Sequence, residues 1–170
     1  GDLGKHFELF DEADLDTALA RFDELSRPAR QLDNAVSRLA ERFAQCFATR
    51  DWDALAEIYA SDFIMDDRRR IVGAGVRHSR DAEIEDLRVF TDVGFTNAMF
   101  TFLATRGERL ALTRMSFWGG DSDGVHTDIL GIAEVDADGR ITAAIAFDPD
   151  TLRDASGRSD VTEAMSSFLA

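Results

Sequence analysis

The chain has 170 residues, 45% of them hydrophobic, which fits one domain with a real core plus a short extension. A formal charge of −14 repels a phosphate backbone, and no apolar run approaches the ~20 residues of a membrane span, so neither nucleic-acid binding nor membrane insertion is expected. The single cysteine, Cys46, leaves no disulfide framework or cysteine-based zinc site, and with no secretory leader in view the acidic chain is expected in the cytoplasm.

In chain order, residues 6–25 look like a second copy of residues 143–162. Phe10, Asp11, Leu15, Ala18, Arg21 and Asp23 lie over Phe147, Asp148, Leu152, Ala155, Arg158 and Asp160. Read as a repeat, the first copy is the tail of a preceding related domain, and the chain is one unit of a tandem array. Read as chance, it is only a strand ending in Phe-Asp before a capped helix. The organisation expected is a helical extension at 1–30, a main domain at 31–150 and a polar tail at 151–170.

Leu15, Ala18, Leu19, Phe22 and Leu25 form a helical stripe over 11–26, and Pro28 stops it. Leu32, Val36, Leu39, Phe43 and Phe47 predict a second helix at about 31–48, with Cys46 inside its apolar pattern. Asp51 caps a short third helix carrying Trp52, Leu55, Ile58 and Tyr59 inward. Phe63–Met65 predicts a short strand, and 68–75 a turn and a second strand containing Ile71 and Val72. Ser79 caps a helix at about 80–92, with Asp81 and Glu83 in its first turn and Ile84 and Leu87 inward. Four longer strands follow. Those at 96–105 and 109–118 flank Arg106-Gly-Glu; those at 126–135 and 141–147 flank Asp138-Gly139, a hairpin signal. Asp121-x-Asp123-Gly124 lacks the rest of a calcium loop. A weakly patterned helix ends the chain at about 160–169. The fold class expected is α+β: helices gathered on one face of a curved antiparallel sheet.

Three stretches carry a resemblance. They are Arg50-Asp51-Trp52-Asp53-x-Leu55-x3-Tyr59-Ala60-x-Asp62-Phe63, Gly75-x4-Arg80-Asp81-Ala82-x-Ile84, and Glu134-Val-Asp136-Ala-Asp138-Gly139-Arg140-Ile141. In this order they resemble the nuclear-transport-factor-2-like (NTF2-like) superfamily, also called SnoaL-like, over about residues 32–148. The resemblance implies a cone of curved sheet wrapped on helices (a cystatin-like α+β roll) with a pocket at its open end. It also implies a homodimer through the outer sheet face. Ketosteroid isomerases, limonene epoxide hydrolases, polyketide cyclases and scytalone dehydratases share that fold, as do domains that only bind ligands or dimerise. A closer likeness is to SnoaL-like domains appended to large actinobacterial multidomain proteins.

The stretch Tyr59–Asp67 resembles the one that ends in the general base of ketosteroid isomerases, and Asp67 falls on the base position. An aspartate in an apolar pocket can take a proton near neutral pH. Here Arg68, Arg69 and Arg70 follow in place of the isomerases' proline, and a nearby arginine would lower that pKa. The competing reading is an Asp–Arg pair in a surface hairpin. Arg114 interrupts an apolar strand, and His126 and Asp128 share one face of the next. By resemblance to cyclases and epoxide hydrolases these three are catalytic candidates; otherwise they form a cross-strand salt bridge on the outer face or at a dimer interface. Trp52, Tyr59, Met65 and Trp118 are the candidate ligand-binding residues. The separated histidines have no metal-ligand spacing, and no cofactor motif is present, so neither metal nor cofactor is expected.

The function expected is a SnoaL-like small-molecule-binding or dimerisation module of a larger, regulatory protein. The alternative is a cofactor-independent isomerase, lyase, cyclase or epoxide hydrolase acting on an apolar polycyclic or terpenoid substrate with an aspartate base.

Overall fold

The computed structural model describes residues 34–71, 73–120, 124–153 and 155–167. The helix expected at 11–26 and the first copy of the repeat lie outside them, as does Val72.

Helix α1 (Ala35–Thr49) opens with a reciprocal cap: the Asn34 side chain accepts from Ser37 N at 3.1 Å, and Ser37 Oγ accepts from Asn34 N at 2.9 Å. Asn34 is buried, and its Nδ2 also donates to Leu110 O at 3.1 Å, so the cap fastens the helix to the sheet. Val36, Phe43 and Phe47 form the buried stripe, with Cys46 among them. The helix ends at Arg50, whose φ of 56° turns the chain into α2 (Trp52–Ala56), capped by Asp51.

Tyr59 heads the first strand rather than continuing a helix: β1 runs Tyr59–Asp67, longer than its apolar core of Phe63–Met65 suggests. The second strand is displaced from its expected place. β2 is Gly75–His78, and Ile71 stands exposed in the preceding turn. Helix α3 (Arg80–Asp92) is capped by Ser79, whose Oγ accepts from Ala82 N at 3.2 Å. Strands β3 (Asn97–Arg106), β4 (Leu110–Trp118), β5 (His126–Val135) and β6 (Ile141–Phe147) follow the predicted hairpins. A 3₁₀ turn at Thr151–Arg153 leads into α4 (Ala155–Ser167), which starts five residues before the expected helix.

One sheet has the order β2-β1-β6-β5-β4-β3, antiparallel at every pair except β1–β6. Alternation gives it two apolar faces. On the inner face, Phe63, Phe117, Ile129 and Ala146 pack against Phe43 and Phe47 of α1 and Ile84 and Leu87 of α3. On the outer face, Leu112, Leu130, Ile132, Ile145 and Phe147 meet Val161, Ala164 and Met165 of α4. The tail reads as polar, yet these three apolar residues of α4 cover one part of this face. The other part, where β3–β5 carry Met99, Arg114 and His126, stays exposed. The fold is α+β, as expected.

Candidate functional site

Between the inner sheet face and helices α1 and α3 lies a cavity of about 350 Å³. Phe43, Met65, Phe90, Phe100, Met115 and Phe117 supply much of its apolar wall. Gly131 of β5 also faces it: a Cβ there would sit 2.7 Å from Met115 Cε, so the missing side chain leaves room that the methionine partly fills. Its backbone is ordinary, so space and not φ explains the glycine.

The polar groups gather where β1, β2 and α3 meet. Cross-strand pairing sets Met65 opposite Arg77 and Asp67 opposite Gly75 on the inner face. Just past β1, Arg69 folds back onto Asp67 in a two-point contact: Nε to Oδ1 at 2.9 Å and Nη2 to Oδ2 at 2.7 Å, with Arg69 N also 3.2 Å from Oδ1. Burial pushes the Asp67 carboxyl up. The bonds and charge of Arg69, with a backbone bond from Ala74, outweigh it and hold Asp67 below the usual aspartate value.

Glu83 enters from the first turn of α3 and is only 8% exposed. Burial raises its pKa to about 7; Arg77 and Arg69 oppose the rise, and Asp67 adds to it. Arg77 lies between two acids of α3, with Nη2 3.8 Å from Glu83 Oε2 and Nη1 bonded to Asp86 Oδ2. Its Nε is buried with no hydrogen-bond partner among the described residues. Burial, and then the charge of Glu83, push the Tyr59 hydroxyl well above the ordinary tyrosine value.

Of the residues singled out from sequence, Asp67, Tyr59 and Met65 line the cavity. Arg114, Asp128, His126, Trp118 and Trp52 do not. Asp128 is half-buried on the outer face, where Ser116 Oγ donates to it at 2.7 Å and His126 Nε2 stands 3.6 Å away. Its cross-strand neighbour is Ser116; exposed Arg114 faces Leu130, and Trp118 faces His126. Trp52 is half-buried on α2, with the Arg88 guanidinium 5.7 Å from its ring centre. Glu83, Arg77 and Asp86 escaped the sequence reading. The signal was there for Glu83: it precedes Leu87 by four residues, so it shares the inward face of its helix. Among the described residues no three histidines, cysteines or carboxylates gather as a metal site.

No protein-family model matches the chain, and no curated protein matches it. Solved structures do match its fold. A candidate polyketide cyclase from Xanthomonas campestris pv. campestris superposes with a TM-score of 0.51 at 16% identity, over 66% of this chain and 89% of the other. A candidate isomerase from Bacillus subtilis gives 0.54 at 9% identity, over 66% and 85%. SalBIII, an epoxide hydrolase/cyclase-like enzyme of pyran ring formation in polyether salinomycin, gives 0.50 at 15%, over 65% and 88%. The fold is that of the NTF2-like, or SnoaL-like, proteins. At these identities the likeness speaks for the fold alone.

Proposed function

We propose that the chain is a small-molecule-binding module whose ligand, mostly apolar, occupies the cavity between the sheet and helices α1 and α3. The observation that carries this reading is the cavity itself. At about 350 Å³ it lies at the lower end of the ~300–1,000 Å³ usual for ligand sites, and its apolar wall ends in a few convergent polar groups. That size suits a compact ring system such as a monoterpenoid. Isothermal titration with bicyclic terpenoids tests it: saturable binding with a negative heat-capacity change is expected. Ala144→Phe, placing a ring in the cavity, should abolish binding. An unfilled wild type at millimolar ligand, or a filled variant that binds as well, would sink the reading.

A second reading, that the site also turns its ligand over, is favoured by Glu83. A cavity-lining carboxyl with a pKa near 7 can both give and take a proton at neutral pH. Asp67 is the poorer base, because Arg69 holds it ionised. In this reading the acid–base step falls to Glu83, acting on an epoxide or enolisable ketone, and Glu83→Gln abolishes turnover while leaving binding intact. The open part of the outer face, where Met99 is exposed beside Arg114, is the proposed homodimer surface. Light scattering showing a monomer at high concentration would refute that. Read as a repeat, the likeness of 6–25 to 143–162 supports a place as one unit of a longer chain.

A further inference from the structure

We infer that the cavity selects a ligand with a protonated amine on an apolar skeleton, and that Glu83 is the carboxylate that receives the ammonium group. This rests on the binding reading above and names the ligand's head group.

Two observations carry it. The first is a charge left over. Among the described residues the charged groups of the cavity wall are Asp67 of β1, Arg69 just past it, Arg77 of β2, and Glu83 and Asp86 of α3, so three carboxyls face two guanidinium groups. Arg69 is taken up by Asp67 at two points. Arg77 is bonded to Asp86 and stands 3.8 Å from Glu83, beyond hydrogen-bond distance. Glu83 is thus the acid without a cation of its own.

The second is access. Glu83 lines the cavity and is 8% exposed. Among the described residues, Arg77 Nε is the one buried side-chain polar atom that is shut off from solvent and unbonded. The Glu83 carboxyl oxygens accept no hydrogen bond from the described residues, so they keep open surface, and the cavity is what they open onto.

In the empty cavity this carboxyl relieves its burial by holding a proton up to about pH 7. An entering ammonium offers the other relief, an opposite charge and three N–H donors. The rest of the wall permits it. Tyr59 stays neutral, both arginines are engaged by their own acids, and α1 contributes only Val36, Leu39, Ala40 and Phe43. A carboxylate ligand would meet three acids and no free cation. The formal charge of −14 acts in the same sense, drawing cations toward the chain.

The test is isothermal titration with three ligands on one skeleton: 1-adamantylamine, 1-adamantanol and adamantane-1-carboxylate. An alkylamine keeps its proton throughout the range used, with a pKa near the ~10.4 of lysine. At pH 8 the amine is expected to bind about ten- to a hundred-fold more tightly than the alcohol, and the carboxylate more weakly than either. Because the amine needs Glu83 ionised, its affinity should rise about thirty-fold from pH 5.5 to 8, and at pH 6 its binding should release about one proton. The uncharged alcohol should lack this dependence. Glu83→Gln should bind amine and alcohol alike at every pH, and the wild-type series decides alone if that variant fails to fold. An amine no better than the alcohol, an amine affinity flat or falling with pH, or a variant that keeps the preference overturns the inference while leaving the cavity as a binding site. Failure of all three ligands to bind overturns the binding reading as well.

Discussion

Replacing Glu83 by glutamine should change how stability depends on pH. The folded-state value of about 7 lies above the ordinary 4.5. Between the two, the folded chain keeps a proton that the unfolded chain has lost. Stability from this group is therefore fully present below about pH 4.5 and declines as pH rises through about 7. At about 1.4 kcal/mol for each pH unit, the gap amounts to about 3 kcal/mol lost by pH 8. The side-chain amide of the Glu83→Gln variant never ionises, so this slope vanishes from its profile. Asp67 is displaced in the opposite direction, below the ordinary 3.8, and contributes above that value in both proteins alike. Urea unfolding at steps from pH 4.5 to 8.5 gives the difference directly. With a slope of about 2 kcal/mol per molar urea, typical for a domain of this kind, the wild-type midpoint should fall by about 1.5 M relative to the variant. Two parallel profiles would refute the argument, since they would mean that Glu83 is already ionised and solvated at pH 5.

Arg69→Met should cost about 3–5 kcal/mol in the same assay at pH 7, because it strands a buried carboxylate; Arg69→Met with Asp67→Leu should recover most of the loss. A single variant no less stable than wild type would show that water reaches Asp67. Asn34→Ala removes both the helix cap and the bond to Leu110 O, and should cost about 1–2 kcal/mol by thermal unfolding. A loss of only a few tenths would mean that α1 is held by its apolar stripe alone.

The elements legible in the sequence are those whose signals are local. The stripe from Val36 to Phe47, the caps at Asp51 and Ser79 and the Asp138-Gly139 turn each lie within a few residues of what they determine. β2 was misplaced because Ile71, though β-branched, falls in the exposed turn, while polar Arg77 occupies the paired strand. The reach of α4 was hidden because its buried face holds three apolar residues in a polar helix, and only the sheet beneath shows their use. Likeness singles out Asp67 as a candidate, and it does line the cavity; the sequence also offers its partner among the following arginines. Which arginine, and the arrival of Glu83 from a helix 16 positions later in the sequence, depends on how β1, β2 and α3 meet. The outer-face group of Arg114, His126 and Asp128 shows the converse. Alternation correctly put His126 and Asp128 on one face, but only pairing across the sheet decides that this face points away from the cavity.

Gly131 makes ligand size separable from folding. Its backbone tolerates any ordinary residue, and the only close obstacle a Cβ would meet is the flexible tip of Met115. A methyl or larger group there would subtract volume from the binding space while leaving the strand pairing intact. The free length of the cavity can therefore drift by one substitution at a time, so that closely related chains with a shared scaffold would differ in cavity bulk alone.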